Sequence, residues 1–353
     1  MLPLLQALRA EDEAFGLSSM PAAVVTRAIA DGFGPILARL TPVAARGAFA
    51  DAIEAADLTA RLLTADMLDA VTDILRRSSE AGYQVALLKG CSTCVRYYPE
   101  PHLRTMGDVD VMVSAADLPG VEALVASLGF VDTTATPPRA WYEQHHHSIP
   151  LWNPQRRLWL EIHTRLYPPS SPLASEERFR PEAIALLMDV HRFNGHEARA
   201  LSHELQLVYT ATRWAGMPSL QRGAFPVLDA TLLLAKHGTT LNWPQVCSLV
   251  EGTWGVTALH LMLTSLDRWQ LAAVPSPVLQ RLAAADRFTN AAVIGLLHRL
   301  TTSYVMEGRP LGGLFTSRVW RTTWSTLVGP TPALTKPLQL AKNLTFPVSD
   351  GER

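Results

Sequence analysis

Lysine is almost missing from this chain. Four of its 353 residues are lysine, at positions 89, 236, 336 and 342, and arginine carries nearly all the positive charge. Lysine and arginine number 31 against 32 acidic residues, a formal net charge of −1, so no overall field draws the chain to nucleic acid or to an anionic membrane. Cysteine is scarce: Cys91, Cys94 and Cys247. An odd, small number argues against a disulfide framework and for a reducing compartment. No apolar run reaches the roughly 18 residues a membrane span needs. The opening MLPLLQALRAEDEAF lacks the basic start and apolar stretch of a signal peptide. Internal repeats and low-complexity tracts are absent as well. The expectation is a cytoplasmic protein without a membrane span. Its 48% apolar content is ample for a sizeable core and two or three domains.

What is present falls into three parts. From about residue 5 to 82 the pattern is helical, with Ile53, Leu58, Leu62, Leu63, Leu68, Val71 and Leu75 at three- and four-residue steps and Gly82 at a C-cap position. A short β-type run, YQVALLKG, follows and ends at Lys89 and Gly90. CSTCVRYY is then a helix or a turn, PEPHLRTMG a loop, and DVDVMVS a second strand. An amphipathic helix over AADLPGVEALVASLGF returns to Val131–Thr134. HHHSIPLWNP and RRLWLEIHTRLY read as two further strands joined at Asn153 and Pro154. Beyond PPSSPLASEERF the chain reads as helical to its end, between proline and glycine punctuation. The expected boundaries are a helical segment over 1–82, an α/β core over 83–175 and a helical domain over 176–353.

The chemistry concentrates in DVDVMV. Period-two alternation puts Asp108, Asp110 and Met112 on one face and Val109, Val111 and Val113 on the other. Same-face residues lie roughly 6.5–7 Å apart, close enough to converge on one ion. Two unpaired carboxylates over an apolar core repel and are costly to desolvate, and a divalent cation removes that cost. Mg²⁺ suits the pattern because it takes a few carboxylates together with substrate phosphate oxygens. Solvated strand ends also carry such pairs, so the surroundings decide. Lys89 stands at a strand end as a candidate phosphate contact, beside a glycine that permits close backbone approach. Arg104 either pairs with an aspartate or reaches a phosphate. In LWLEIHTRL, Trp159, Glu161 and His163 share a face, and Glu161 is a candidate third carboxylate. His163 either orients that carboxylate, contacts substrate or is structural.

Taken together, LLKG, RTMGDVDVMV and LEIHTRL resemble a bacterial family of uncharacterised nucleotidyltransferases in the DNA polymerase β-like superfamily. Lys89, Gly90, Tyr98, Pro99, Arg104, Met106, Gly107, Asp108, Asp110, Glu161 and His163 fall on the family pattern, while Thr105 stands where proline is common. The motif-bearing part covers about 84–167, and weaker similarity extends outward on both sides. The resemblance implies an α+β fold: a small mixed-sheet nucleotidyltransferase core flanked by an N-terminal helical segment and a C-terminal helical domain. It implies a two-metal transfer of a nucleoside monophosphate from an NTP, ATP being the first choice, to a hydroxyl on a small molecule, peptide, protein or RNA. Asp108, Asp110 and Glu161 would hold Mg²⁺ or Mn²⁺, with Asp110 bridging. Lys89, Gly90, Arg104 and His163 would lie on the ligand side, and Ser92 would replace the serine that most superfamily members carry after a glycine. A non-catalytic nucleotide-binding scaffold and a phosphotransferase on the same core are the alternatives.

Three other features carry less. His145, His146 and His147 look like a zinc motif, but neighbours on a strand point to alternate faces, so a half-exposed polar strand is the favoured reading. His145 or His147 lining the acceptor pocket comes next. Cys91 and Cys94 have a redox spacing without the usual flanking residues. Phe315, Trp320 and Trp324 alternate with Arg309, Arg318 and Arg321. Packing with a solvated face is favoured there over contact with nucleic acid or a membrane surface.

Overall fold

A computed structural model describes residues 1–132, 137, 139–216, 223–307, 317–330, 335, 336, 338 and 339. The chain forms two compact units, one of residues 32–39 and 47–206, the other of 1–31, 40–46 and the described part of 207–353.

The first unit is built on a mixed seven-stranded sheet in the order β3-β4-β5-β2-β1-β7-β6. Its strands are β1 (Ala86–Leu87), β2 (Asp108–Met112), β3 (Val131–Asp132), β4 (Leu151–Asn153), β5 (Leu158–His163), β6 (Met188–Phe193) and β7 (His196–Leu201). β2 runs parallel to β5 and antiparallel to β1, and β1 runs parallel to β7. The alternation expected of β2 and β5 holds. Val109, Val111, Val113, Leu158, Leu160 and Ile162 enter one apolar cluster with Val71, Ile74 and Leu75 of the helix Ala50–Glu80 and Val121 and Val125 of the helix Leu118–Ser127.

Three expectations change. Residues 188–201 are a hairpin rather than helix. The dipeptide Asn194-Gly195 takes positive φ at both positions, 46° and 84°, the backbone of a tight two-residue β-turn. Its outer strand extends the sheet past residue 175. The run at Lys89 is not a strand end, because a helix begins there, Lys89–Arg96, after an extended Leu88. On the long helix the buried set is Ile53, Ala60, Thr64, Met67, Ala70, Val71, Ile74, Leu75 and Ser78, while Leu58, Leu62 and Leu63 are exposed. In its first half the buried stripe passes through small and polar residues rather than through the leucines. Thr133 and Thr134 lie outside the described residues.

The second unit is helical, with helices His203–Gly216 (its start belonging to the first unit), Ala224–His237, Trp243–Val250, Gly255–Arg268, Ser276–Ala285, Ala291–Thr301 and Ser317–Val328. Trp324 is buried and its indole N–H donates to the Ala215 carbonyl at 2.7 Å, a packing role. Arg309 and Phe315 lie outside the described residues. Among the described residues no helix is long and apolar enough to cross a membrane.

Candidate active site

The sheet register makes the site. β2 and β5 are aligned so that Asp110 stands beside Glu161 and Met112 beside His163. The polar faces of the two strands therefore meet, and one ligand atom each of Asp110, Glu161 and His163 lies within 4.8 Å of the others. Asp110 is 2% exposed and His163 0%, while Glu161 is half-buried. Asp108 is half-buried on the same face, two residues back, and does not join that tight group.

A buried carboxylate must be compensated. The Lys89 ammonium contacts an Asp110 oxygen and lies 3.3 Å from a Glu161 oxygen. His163 Nε2 lies 2.8 Å from the same Asp110 oxygen and 3.5 Å from Glu161. Burial pushes the Asp110 carboxyl up, but the Lys89 charge and the His163 hydrogen bond outweigh it and leave it below the usual range. Glu161 is held low in the same way, burial being overcome by the His163 hydrogen bond and the Lys89 charge. Both are anions at neutral pH. With Nε2 donating to Asp110, His163 Nδ1 is a buried nitrogen without a hydrogen-bond partner.

Lys89 reaches this position at a backbone cost. Its φ of 47° is left-handed, a conformation worth about 1–2 kcal/mol of strain in a non-glycine residue. Gly90 beside it has a steric reason. A Cβ there would come within 2.8 Å of Met106 Cγ and 3.7 Å of the Arg104 guanidinium carbon. Arg104 thus lies at the Lys89–Gly90 end, where it also donates to the Thr105 carbonyl at 3.0 Å. Ser92 lies on the same helix, three residues after Lys89. It is fully buried and its hydroxyl accepts from Arg96. Cys91 and Cys94 form no disulfide and are buried, and burial first, then Cys94 and the aspartates, pushes the Cys91 thiol well up. A thiol held neutral is a poor nucleophile or redox centre.

The histidine run departs furthest from expectation. His145 and His146 form a bend, and only His147 bridges to β5, opposite His163. Freed from strand alternation, the three rings converge, with centroids 4.4–4.9 Å apart. Burial, then the neighbouring imidazoles, holds His145 and His146 below the usual histidine range, and burial lowers His147 despite its bond to Ser148.

Paired anions around a cation, midway along the parallel pair of β2 and β5, define a buried charged site. The chain belongs to a family described as uncharacterised nucleotidyltransferase, whose model matches residues 37–271. This span covers the whole sheet and more than half of the chain. No curated protein and no solved structure matches it. A nucleotidyltransferase family suggests an NTP substrate and a divalent metal, and the buried group of Asp110, Glu161 and His163 is one that could hold an ion.

Proposed function

We propose that the protein is a Mg²⁺-dependent nucleotidyltransferase that moves a nucleoside monophosphate from an NTP, with ATP the first choice, to a hydroxyl acceptor. The observation that carries the reading is the register of Asp110 beside Glu161 with a lysine ammonium between them. Two carboxylates, one of them held by the His163 N–H, are an oxygen donor set that a hard divalent cation accepts, and their position already stabilises positive charge. Asp110 and Glu161 would hold the first ion, and Asp108, two residues back on the same face, would help to hold a second. Bound there, Mg²⁺ supplies Lewis-acid polarisation of phosphoryl oxygens and a lowered pKa for an attacking hydroxyl.

The chain's own residues do the rest. Both carboxylates stay ionised at neutral pH, which suits charge stabilisation and makes them weak proton acceptors. His163 fixes the Asp110 carboxylate from the buried side. The Lys89 ammonium, once its carboxylates have another cation, is positioned to meet a phosphate, with Arg104 and the side-chain-free backbone at Gly90 beside it. Ser92 keeps its bond to Arg96.

Incubation with Mg²⁺ and NTPs labelled at the α-phosphate, alone and with cell extract, tests this. The wild-type chain is expected to release pyrophosphate and transfer label, and Asp110→Asn is expected to do neither. Absence of metal-dependent NTP binding, or formation of nucleoside diphosphate in place of pyrophosphate, would sink the reading.

A further inference from the structure

His145, His146 and His147 are not used by the chemistry above, yet each offers a ring nitrogen within 4.8 Å of the other two. We propose that these three imidazoles form a second metal site, selective for a borderline transition ion of the zinc class and separate from the carboxylate site.

The donor set decides the metal. Three neutral nitrogens and no carboxylate suit Zn²⁺, Co²⁺, Ni²⁺ or Cu²⁺ and disfavour Mg²⁺. Three protein ligands with a fourth position for water or substrate is the arrangement of catalytic zinc sites.

The supports are those a ligating histidine needs. His147 Nδ1 lies 2.7 Å from the Ser148 carbonyl, so this nitrogen donates and Nε2 keeps its lone pair for an ion. Trp141 stacks on His145, with ring centroids 4.3 Å apart and planes 25° apart, which limits the rotation of that ring. The Nδ1 atoms of His145 and His146 are 2.7 Å apart. Two imidazole nitrogens at that distance need a proton between them, and a divalent ion takes the place of that proton. A tetrahedral ion at its usual bond length holds nitrogens about 3.4 Å apart, a separation inside the 4.8 Å within which the three donor atoms lie.

A second observation points the same way. His163 is 0% exposed, its Nδ1 has no hydrogen-bond partner, and its ring is flanked by His146 and His147 at 5.3 and 5.4 Å. That buried acceptor, left without a donor beside two of these imidazoles, stands where a water carried by an ion at the cluster would find a partner.

The test uses the full chain, stripped with chelator and titrated with Co²⁺, then with Zn²⁺ in competition, with no nucleotide present. A single tight equivalent is expected, with the intense visible absorption of a tetrahedral, imidazole-bound Co²⁺ that Zn²⁺ abolishes. His145→Asn and His147→Ala should each weaken binding by at least about 100-fold, with Asp110→Asn and Glu161→Gln binding as wild type. Circular dichroism confirms the fold of each variant, and the side chain of His145 is half-exposed, so its change is expected to be tolerated. No uptake, a weak octahedral spectrum, or loss of Co²⁺ in the carboxylate variants rather than the histidine ones overturns the proposal. Because no turnover is read, this outcome is independent of whether nucleotidyl transfer is found.

Discussion

On one face of the β2–β5 pair, Val109, Val111, Leu160 and Ile162 are wholly buried; on the other, Asp110 and His163 are as buried or nearly so. Depth is therefore the same and the means of tolerating it differ. The apolar face is stable because each side chain leaves water, at about 25 cal/mol per Å². The polar face persists because its members compensate one another: Lys89 and His163 surround Asp110, and Lys89 and His163 reach Glu161. A face that needs each partner is one where a ligand cation can exchange with a resident one, and an apolar face has no such exchange.

The largest effect should come from removing the central anion. Asp110→Asn is expected to lower nucleotidyl transfer by at least about 10³-fold, the equivalent of about 4 kcal/mol of electrostatic stabilisation, read from pyrophosphate release at saturating Mg²⁺. Equal activity in the variant would break the contrast between the faces.

Next is the cation. Lys89→Met leaves Asp110 buried with the His163 hydrogen bond but without the ammonium, and is expected to destabilise the fold by about 3 kcal/mol in urea titrations without divalent ions. Added Mg²⁺ should restore much of that, whereas the wild-type chain gains less because its own ammonium must be displaced. Lys89→Gly sharpens the point. Glycine adopts a φ of 47° without strain, so it should be about 1 kcal/mol less damaging than methionine.

On the apolar face, Ile162→Val should cost about 1 kcal/mol with no change in metal response, measured in the same titrations. The smallest signal is in pH. Asp110 and Glu161 have folded-state pKa values below their unfolded ones, so the stability they contribute is complete above the ordinary carboxylate range, about pH 4, and is lost as pH falls toward their folded values. Glu161→Gln is expected to flatten the acid limb of a stability–pH profile below about pH 4 and leave the neutral region's slope unchanged.

Much of this was legible without coordinates. Strict alternation in DVDVMV and LWLEIH identified both faces, since a strand's period of two allows no other division. The helices His203–Gly216, Ala224–His237, Trp243–Val250 and Ser276–Ala285 were marked by proline and glycine punctuation. The hairpin at 188–201 was also written there, in an Asn-Gly dipeptide between two runs of mixed polarity, but neither run is apolar enough to read as a strand, because the outer one is largely exposed. The convergence of His145–His147 was not legible, since the expected strand would have separated them and only the bend brings them together. Nor was the pairing of Lys89 with the carboxylates. It needs a left-handed backbone in a residue type that rarely adopts one.

By itself, then, the amino-acid order determined which side chains share a face and which residue types were offered to a ligand, because those follow from local geometry repeated along the backbone. Which faces meet, in what register, and which charges end up neighbours was decided by the pairing of β2 with β5 and by the turn at Lys89. These are long-range contacts whose energy exists only once the sheet has closed around buried charge.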